Sequence, residues 1–381
     1  MIKFNSLILF FGFANAFFFN KPVLNFFKIN TKYESSDSKF TLVKEYYQFL
    51  NDYDIIKIDN KIFSLNFFGN VNNKLIEERL ENYKIFENNY RLIQDFNSAN
   101  NSFKLGLNQF ADTIDMNNAD DLMYNEIKDI DIFKNDVIGI KQIIQDPQYY
   151  IDKYRNLLPE LIWNQSILSH VKNQGRCGSC WAFSTTGALE AKMRINNYKV
   201  DRLSEQELVD CSKQNYGCNG GLMHLAFDYC IENYGLTSNQ EYNYTAKNGH
   251  CLYNCNLNNT ESQNFTKVLG SFVKDYKFTI PRSVIDLKAS LKEGPICIAL
   301  DASPLEFRFY KEGVIDIENR NTSRINHAVL LTGYSEYQNG SYWIIQNSWG
   351  TSWGYNGYAK IKIENGDGVL LSQLYGVYPY I

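Results

Sequence analysis

No cysteine occurs among the first 176 residues of this 381-residue chain; all eight (Cys177, Cys180, Cys211, Cys218, Cys230, Cys251, Cys255 and Cys297) come later. The first segment therefore has no disulfide and no thiol chemistry, and the chain divides into two stretches of different character. No run of Lys or Arg is present, and the formal net charge is -4 with a pI near 5.7. That balance points away from a phosphate-tracking surface and from nucleic acid partners. Only four histidines exist, which leaves few candidates for an imidazole base. After the N-terminus nothing reads as a transmembrane helix, so no membrane span is expected. What the chain does have is 44% hydrophobic and 15% aromatic residues, ample for a core in one large domain or two ordinary ones.

The N-terminus places Lys3 before an apolar run from Phe4 to Phe13, followed by Ala14-Asn15-Ala16. This small-x-small form is the one signal peptidase accepts, and it predicts a leader of residues 1–16. A membrane anchor is the alternative, but Asn5 and Asn15 interrupt a run already short of the roughly 20 apolar residues that span a bilayer. A secretory, lysosomal or extracellular route follows, with an oxidising lumen that favours disulfides. Seven Asn-x-Ser/Thr sites, at Asn100, Asn164, Asn243, Asn258, Asn264, Asn321 and Asn339, fit that route.

Residues 17–37 are Phe- and Asn-rich and carry no pattern. Aromatic and apolar residues recur at helical spacing from Phe40 to Leu50, and again from Lys74 to Phe96 through Leu75, Leu80, Tyr83, Phe86, Tyr90 and Ile93. Alternation from Phe103 to Phe110 predicts a strand, and Thr113 to Tyr154 reads as an irregular connection. Such a cysteine-free helical segment is either a binding module or a removable pro-segment.

The second segment centres on Gln174 to Ser184, QGRCGSCWAFS. Residues 181–196 have helical composition, so Cys180 sits at a helix N-terminus, where the macrodipole and unpaired N–H groups favour a thiolate. A nucleophilic thiol also needs a base. His327 precedes an apolar strand, Ala328 to Thr332, able to hold an imidazole rigidly; His170 lies just before the motif, His224 in a helical stretch and His250 in a loop. Asn347, in QNSWGTSWG after the apolar run Tyr342 to Ile345, is a candidate to orient the base.

These stretches, with CNGG at Cys218 to Gly221 and NHAV at Asn326 to Val329, resemble the papain family of cysteine proteases, cathepsin L-like branch. His327 and Asn347 follow Cys180 by 147 and 167 residues, against a family interval of roughly 130 to 150 that surface insertions would lengthen. The first segment resembles the family's propeptides. Glu78, Phe86, Asn89, Ile93 and Asn97 have the ERFNIN spacing, with Asn82 where that pattern has Arg, and Gly106, Asn108, Phe110 and Asp112 match the following G-x-N-x-F-x-D element.

The resemblance implies an α+β fold: a papain-like two-lobed catalytic domain, one lobe helical and one β-barrel-like, preceded by a helical inhibitory propeptide. It implies a leader at 1–16, a propeptide at 17–157 with its inhibitor domain at about 40–112, and a peptidase domain at 158–381. Cys180 would be the nucleophile, His327 its base and later acid, and Asn347 the residue orienting the imidazole. Gln174 and the Cys180 backbone N–H would form the oxyanion hole. Gly220 and Gly221 would offer backbone to an extended substrate. Leu222, Met223, Ala299 and Ile325, with Asn326 beside them, would line a second specificity pocket for a bulky apolar residue. Ordinary core at a helix start is the other reading of Leu222 and Met223. Trp349 would shield the His327 to Asn347 bond from water.

Disulfides carried over from the family join Cys177 to Cys218 and Cys211 to Cys251. A third family bridge has no cysteines here. Cys297 reads as a buried thiol, and a Cys230 to Cys255 bridge is left open. Ile162 stands before Trp163 where the family usually has Asp, and Tyr375 is a candidate floor for the specificity pocket. Expected partners are protein or peptide substrates, the chain's own propeptide and cystatin-like inhibitors; the enzyme is expected to be a monomer needing no metal or cofactor. The rivals are a Cys-x-x-Cys redox or zinc site, for which no second paired element exists, and a catalytically silent papain-like binding protein.

Overall fold

The computed structural model describes residues 73–113, 147–252, 265–318, 324–336 and 340–381, with scattered positions between 42 and 53. The expected leader, residues 17–37, the sites at Asn258, Asn264, Asn321 and Asn339, Cys255 and the Glu78 side chain lie outside the described residues. The chain forms two compact units, residues 1–94 with 107–114, and residues 95–106 with 115–381.

The first unit is built on helix α1 (Asn73–Ser98) and on helical positions between 42 and 52. Leu42, Tyr46, Phe49, Leu50, Phe86, Ile93 and Ala111 are its buried apolar residues. The helical spacing puts Phe86 against Tyr46 and Phe49, with ring centroids 4.9 and 5.1 Å apart. The stretch after Gly106 folds back onto these helices through side chains. Asn89 Nδ2 donates to Ala111 O at 2.9 Å, Tyr53 Oη to Leu107 O at 2.9 Å and Tyr46 Oη to Asp112 Oδ2 at 3.3 Å. The strand expected to run to Phe110 stops early, because Asn108 Oδ1 accepts from Phe110 N at 3.1 Å and closes a turn.

What remains of that strand belongs to the second unit. Strand β1 (Phe103–Leu105) pairs antiparallel with β5 (Tyr310–Ile315), and Asn97 grips Leu105 by both backbone groups, at 2.8 and 2.9 Å. A second departure is helix α2 (Pro147–Tyr154), inside what reads as irregular connection. Lys153 Nζ and Tyr154 Oη hold buried Asp286 Oδ1 at 2.6 and 3.1 Å, a tertiary anchor that no local periodicity announces.

Three helices form the helical lobe: α3 (Cys180–Ile195), α4 (Glu205–Cys211) and α5 (Met223–Glu232). Helix α3 is buried on nearly all sides, which explains its small residues; a Cβ added at Gly187 would meet Leu330 at 3.2 Å. Ser204 caps α4 by accepting from Glu207 N at 2.9 Å. Cys177 is bonded to Cys218 and Cys211 to Cys251, while Cys230 and Cys297 are free and buried.

The other lobe is a sheet in the order β1-β5-β8-β7-β6-β4-β9-β3, with β2 (Glu160–Ile162) also on β6. Its remaining strands are β3 (Asp275–Phe278), β4 (Ile296–Leu300), β6 (His327–Ser335), β7 (Tyr342–Gln346), β8 (Tyr358–Lys362) and β9 (Tyr375–Tyr380). The pairs are antiparallel except β5 with β8. The expectation of a barrel-like lobe is corrected here. The sheet is not closed, because β1 extends one edge through β5 and β3 the other through β9, and the two ends do not pair among the described residues. Helix α6 (Val284–Ser290) and the short α7 (Leu305–Arg308) flank the sheet. No helix among the described residues is long and apolar enough to cross a membrane.

Candidate active site

Cys180 is the first residue of α3 and is buried. The turn before it is tied on both sides. Gly178 N donates to Cys218 O at 2.8 Å beside the Cys177–Cys218 disulfide, and Trp181 Nε1 reaches Gly217 O at 3.1 Å. A thiol at this end of a helix faces the positive pole of the macrodipole.

His327 opens β6 opposite Leu300 of β4, one residue earlier than the strand expected from sequence. Its Nε2 lies 2.8 Å from Asn347 Oδ1. The identity of that Asn347 atom follows from its second partner: Ser348 N also points at it, at 2.8 Å, and a backbone N–H can only donate. Nε2 therefore carries the ring proton, and Nδ1 is the nitrogen left to accept one. Trp349 covers the pair, its ring centroid 4.6 Å from that of His327, and Phe307 stands edge-on at 6.4 Å. Burial pushes the imidazole down to about 4, against the opposing pull of the Asn347 hydrogen bond, so the ring is neutral at neutral pH.

Gln174 is buried, and its amide is oriented from both ends. Oε1 accepts from Ser348 Oγ at 2.6 Å, and Nε2 donates to Cys177 O at 2.9 Å. One Nε2 hydrogen remains for another acceptor. Gln174 N donates to Ser348 O at 2.8 Å, so the segments before Cys180 and after Asn347 are joined directly. Ser348 thus contacts both Gln174 and Asn347. Sequence reading did not single it out, although it lies inside the QNSWG stretch.

The two glycines have different surroundings. Gly220 adopts φ +116°, while a Cβ on Gly221 would fall 2.5 Å from Asn215 Oδ1 and 2.9 Å from Trp181. Gly221 is therefore required by packing, whatever approaches it. Leu222, Met223, Ala299 and Ile325 share one buried cluster with Cys180, Trp181 and Tyr375. Tyr375 stands across from Ala299, and its hydroxyl lies 2.9 Å from His224 Nδ1. Asn326 turns its amide toward the 301–303 loop instead, with Oδ1 accepting from Ala302 N at 2.8 Å and Nδ2 donating to Ser303 Oγ at 2.6 Å. His170 and His250 lie apart from this arrangement, both exposed.

Lys172 ties α3 to α4 in the polar interior of the helical lobe. Its Nζ meets Glu190 Oε1 at 2.7 Å, Glu205 Oε1 at 2.5 Å and Thr186 Oγ1 at 3.1 Å. Burial alone would lower its pKa, but the two carboxylates, Glu190 first, carry it upward.

Comparison with known proteins shows the family. Residues 159–375 match the papain family cysteine protease model, and residues 47–116 match the cathepsin propeptide inhibitor domain. The chain belongs to the papain family of cysteine proteases, and with its cathepsin-type propeptide it is a zymogen. It is 36% identical over 301 residues to the KDEL-tailed cysteine endopeptidase CEP2 of Arabidopsis thaliana, covering 76% of each chain. It is also 36% identical over 291 residues to procathepsin L of Mus musculus, covering 73% of this chain and 79% of that one. Among solved structures it is similar to the digestive procathepsin L2 proteinase of Tenebrio molitor larval midgut. That match has a TM-score of 0.67 at 28% identity, covering 89% of this chain and all of the other.

Proposed function

We propose that the chain is an endopeptidase in which Cys180 attacks the scissile carbonyl, His327 moves the proton, Asn347 orients His327, and Gln174 with the Cys180 N–H stabilises the oxyanion. The observation that carries this reading is the bond from His327 Nε2 to Asn347 Oδ1, 2.8 Å long and buried under Trp349. It leaves Nδ1 unprotonated, as a general base must be. The thiol proton passes to Nδ1, the thiolate adds to the carbonyl carbon, and the tetrahedral oxyanion takes the remaining Gln174 Nε2 hydrogen. His327 then returns the proton to the leaving amine, giving a thioester. Water, deprotonated by the same imidazole, hydrolyses the thioester and restores the thiol.

Leu222, Met223, Ala299 and Ile325 form the walls of an apolar second specificity pocket, which favours a bulky apolar substrate residue at that position. Gly220 and Gly221 pair with the substrate backbone. Residues 1–16 are the leader, 17–157 the propeptide and 158–381 the peptidase, which is monomeric, follows the secretory route to a lysosomal, vacuolar or extracellular site, and is open to cystatin-like inhibitors. The test is to acidify the full-length protein and assay a peptide with Leu at the second position. Activity that disappears in Cys180→Ala supports the reading; equal cleavage by Cys180→Ala sinks it.

A further inference from the structure

Ser179 precedes α3 at the N-cap position, where serine ordinarily accepts a hydrogen bond from the helix's own N–H groups. Here its side chain makes no such bond. Its hydroxyl lies instead 2.6 Å from the phenol of Tyr244, 65 residues away, and Tyr244 Oη reaches Gln174 O at 2.7 Å. A carbonyl oxygen cannot donate, so the single phenolic hydrogen goes to Gln174 O, and Ser179 must give its own hydrogen to the phenol oxygen. Phe183 fixes the ring from the side, edge-on at 4.8 Å and 87°. Ser179 is fully buried, so this choice of partner is not shared with bulk water.

We propose that Tyr244 is a positioning residue for the protease reaction, holding the Ser179 hydroxyl away from the α3 N-terminus so that the first-turn N–H groups of Cys180 and Trp181 serve the anion formed at Cys180. Ala182 N is taken by Ser179 O at 2.9 Å. The same phenol steadies the carbonyl of Gln174, so one side chain supports both the thiolate end of the helix and the oxyanion donor. The inference rests on Cys180 being the nucleophile. Without the phenol, the nearest alternative for a buried serine hydroxyl is the helix end itself, and a capping serine there competes with thiolate and oxyanion for the same donors. The groups whose charge bears on Tyr244 are Glu205, itself bound to Lys172, and Cys180. Burial pushes the phenol up to about 12, with the Ser179 hydrogen bond opposing, so it stays neutral and keeps its hydrogen throughout the enzyme's working range.

The experiment uses the acidified full-length chain and follows alkylation of Cys180 by iodoacetamide, mapped by mass spectrometry, from about pH 4 to pH 9. Tyr244→Phe is expected to raise the midpoint of the rate profile by about one pH unit and to lower kcat about tenfold at nearly unchanged KM. Ser179→Ala/Tyr244→Phe is expected to bring the midpoint back toward wild type, because the competing cap is gone. Ser179→Ala alone, which keeps the phenol, is expected to leave it in place. An unchanged midpoint in Tyr244→Phe, a double variant no better than the single one, or a raised midpoint in Ser179→Ala overturns the inference. A wild-type chain whose Cys180 is not alkylated in preference to Cys230 and Cys297 overturns the nucleophile assignment as well, a result distinct from the others.

Discussion

Ser348 donates its hydroxyl hydrogen to Gln174 Oε1 at 2.6 Å while its backbone N–H donates to Asn347 Oδ1 at 2.8 Å. One residue therefore orients two amides, those of Gln174 and Asn347. Without the hydroxyl, the Gln174 amide is held by its Cys177 bond at one end and loses the restraint at the other. Ser348→Ala is expected to lower kcat by about three- to tenfold, since a single hydrogen bond of about 1 kcal/mol is lost. KM should be nearly unchanged, which steady-state kinetics on one peptide will show.

Burial of His327 makes stability depend on pH. Its folded pKa is lowered from 6.5 to about 4, so between those values the unfolded chain binds more protons than the folded one. Stability is full above about pH 6.5 and is lost as pH falls toward 4, by an amount on the order of 3 kcal/mol from this group. In Cys180→Ala protein, where no thiolate compensates, urea midpoints should fall across that window. Adding His327→Gln should flatten the fall; an equal slope in both proteins would remove His327 from the explanation.

How far these relationships were visible in the sequence depends on their range along the chain. The helix that begins at Cys180 and the long propeptide helix are carried by local periodicity and match their observed limits within a residue or two, while the strand after His327 is found but runs three residues further, to Ser335. The expected strand through Phe110 failed because Asn108 makes its own turn, a side-chain bond that competes with pairing. Helix α2 depends on Asp286, 133 residues away from Lys153, and Tyr244 reaches Ser179 across 65. Neither leaves a period to read. At Gly221 the sequence points to backbone offered to a substrate, while the crowding by Asn215 and Trp181, which leaves no space for a Cβ, comes from tertiary packing that no local pattern announces.

Gly221 yields its own expectation. Gly221→Ala should destabilise the protein by about 1–3 kcal/mol through overpacking against Asn215 and Trp181. Asn215→Ala in the same chain should recover part of the overpacking loss, which thermal denaturation of the four-member cycle will measure.

Lys172 sits between two fully buried carboxylates, Glu190 and Glu205. Replacing it by Met removes the ammonium that the pair shares and leaves both carboxylates buried. A loss of about 3–5 kcal/mol in urea denaturation is expected. Lys172→Met/Glu190→Gln/Glu205→Gln, which removes both charges as well, should be more stable than Lys172→Met alone.

In the proposed mechanism Cys180 is the sole nucleophile, with His327, Asn347 and Gln174 acting on it or beside it. Acidified protein treated with an epoxide-type thiol inhibitor, followed by peptide mapping and a parallel activity assay, tests it directly. A single adduct on Cys180 is expected, rising in step with loss of peptidase activity. Activity that persists with Cys180 fully modified, or disappears with the adduct on Cys230 or Cys297, would contradict it.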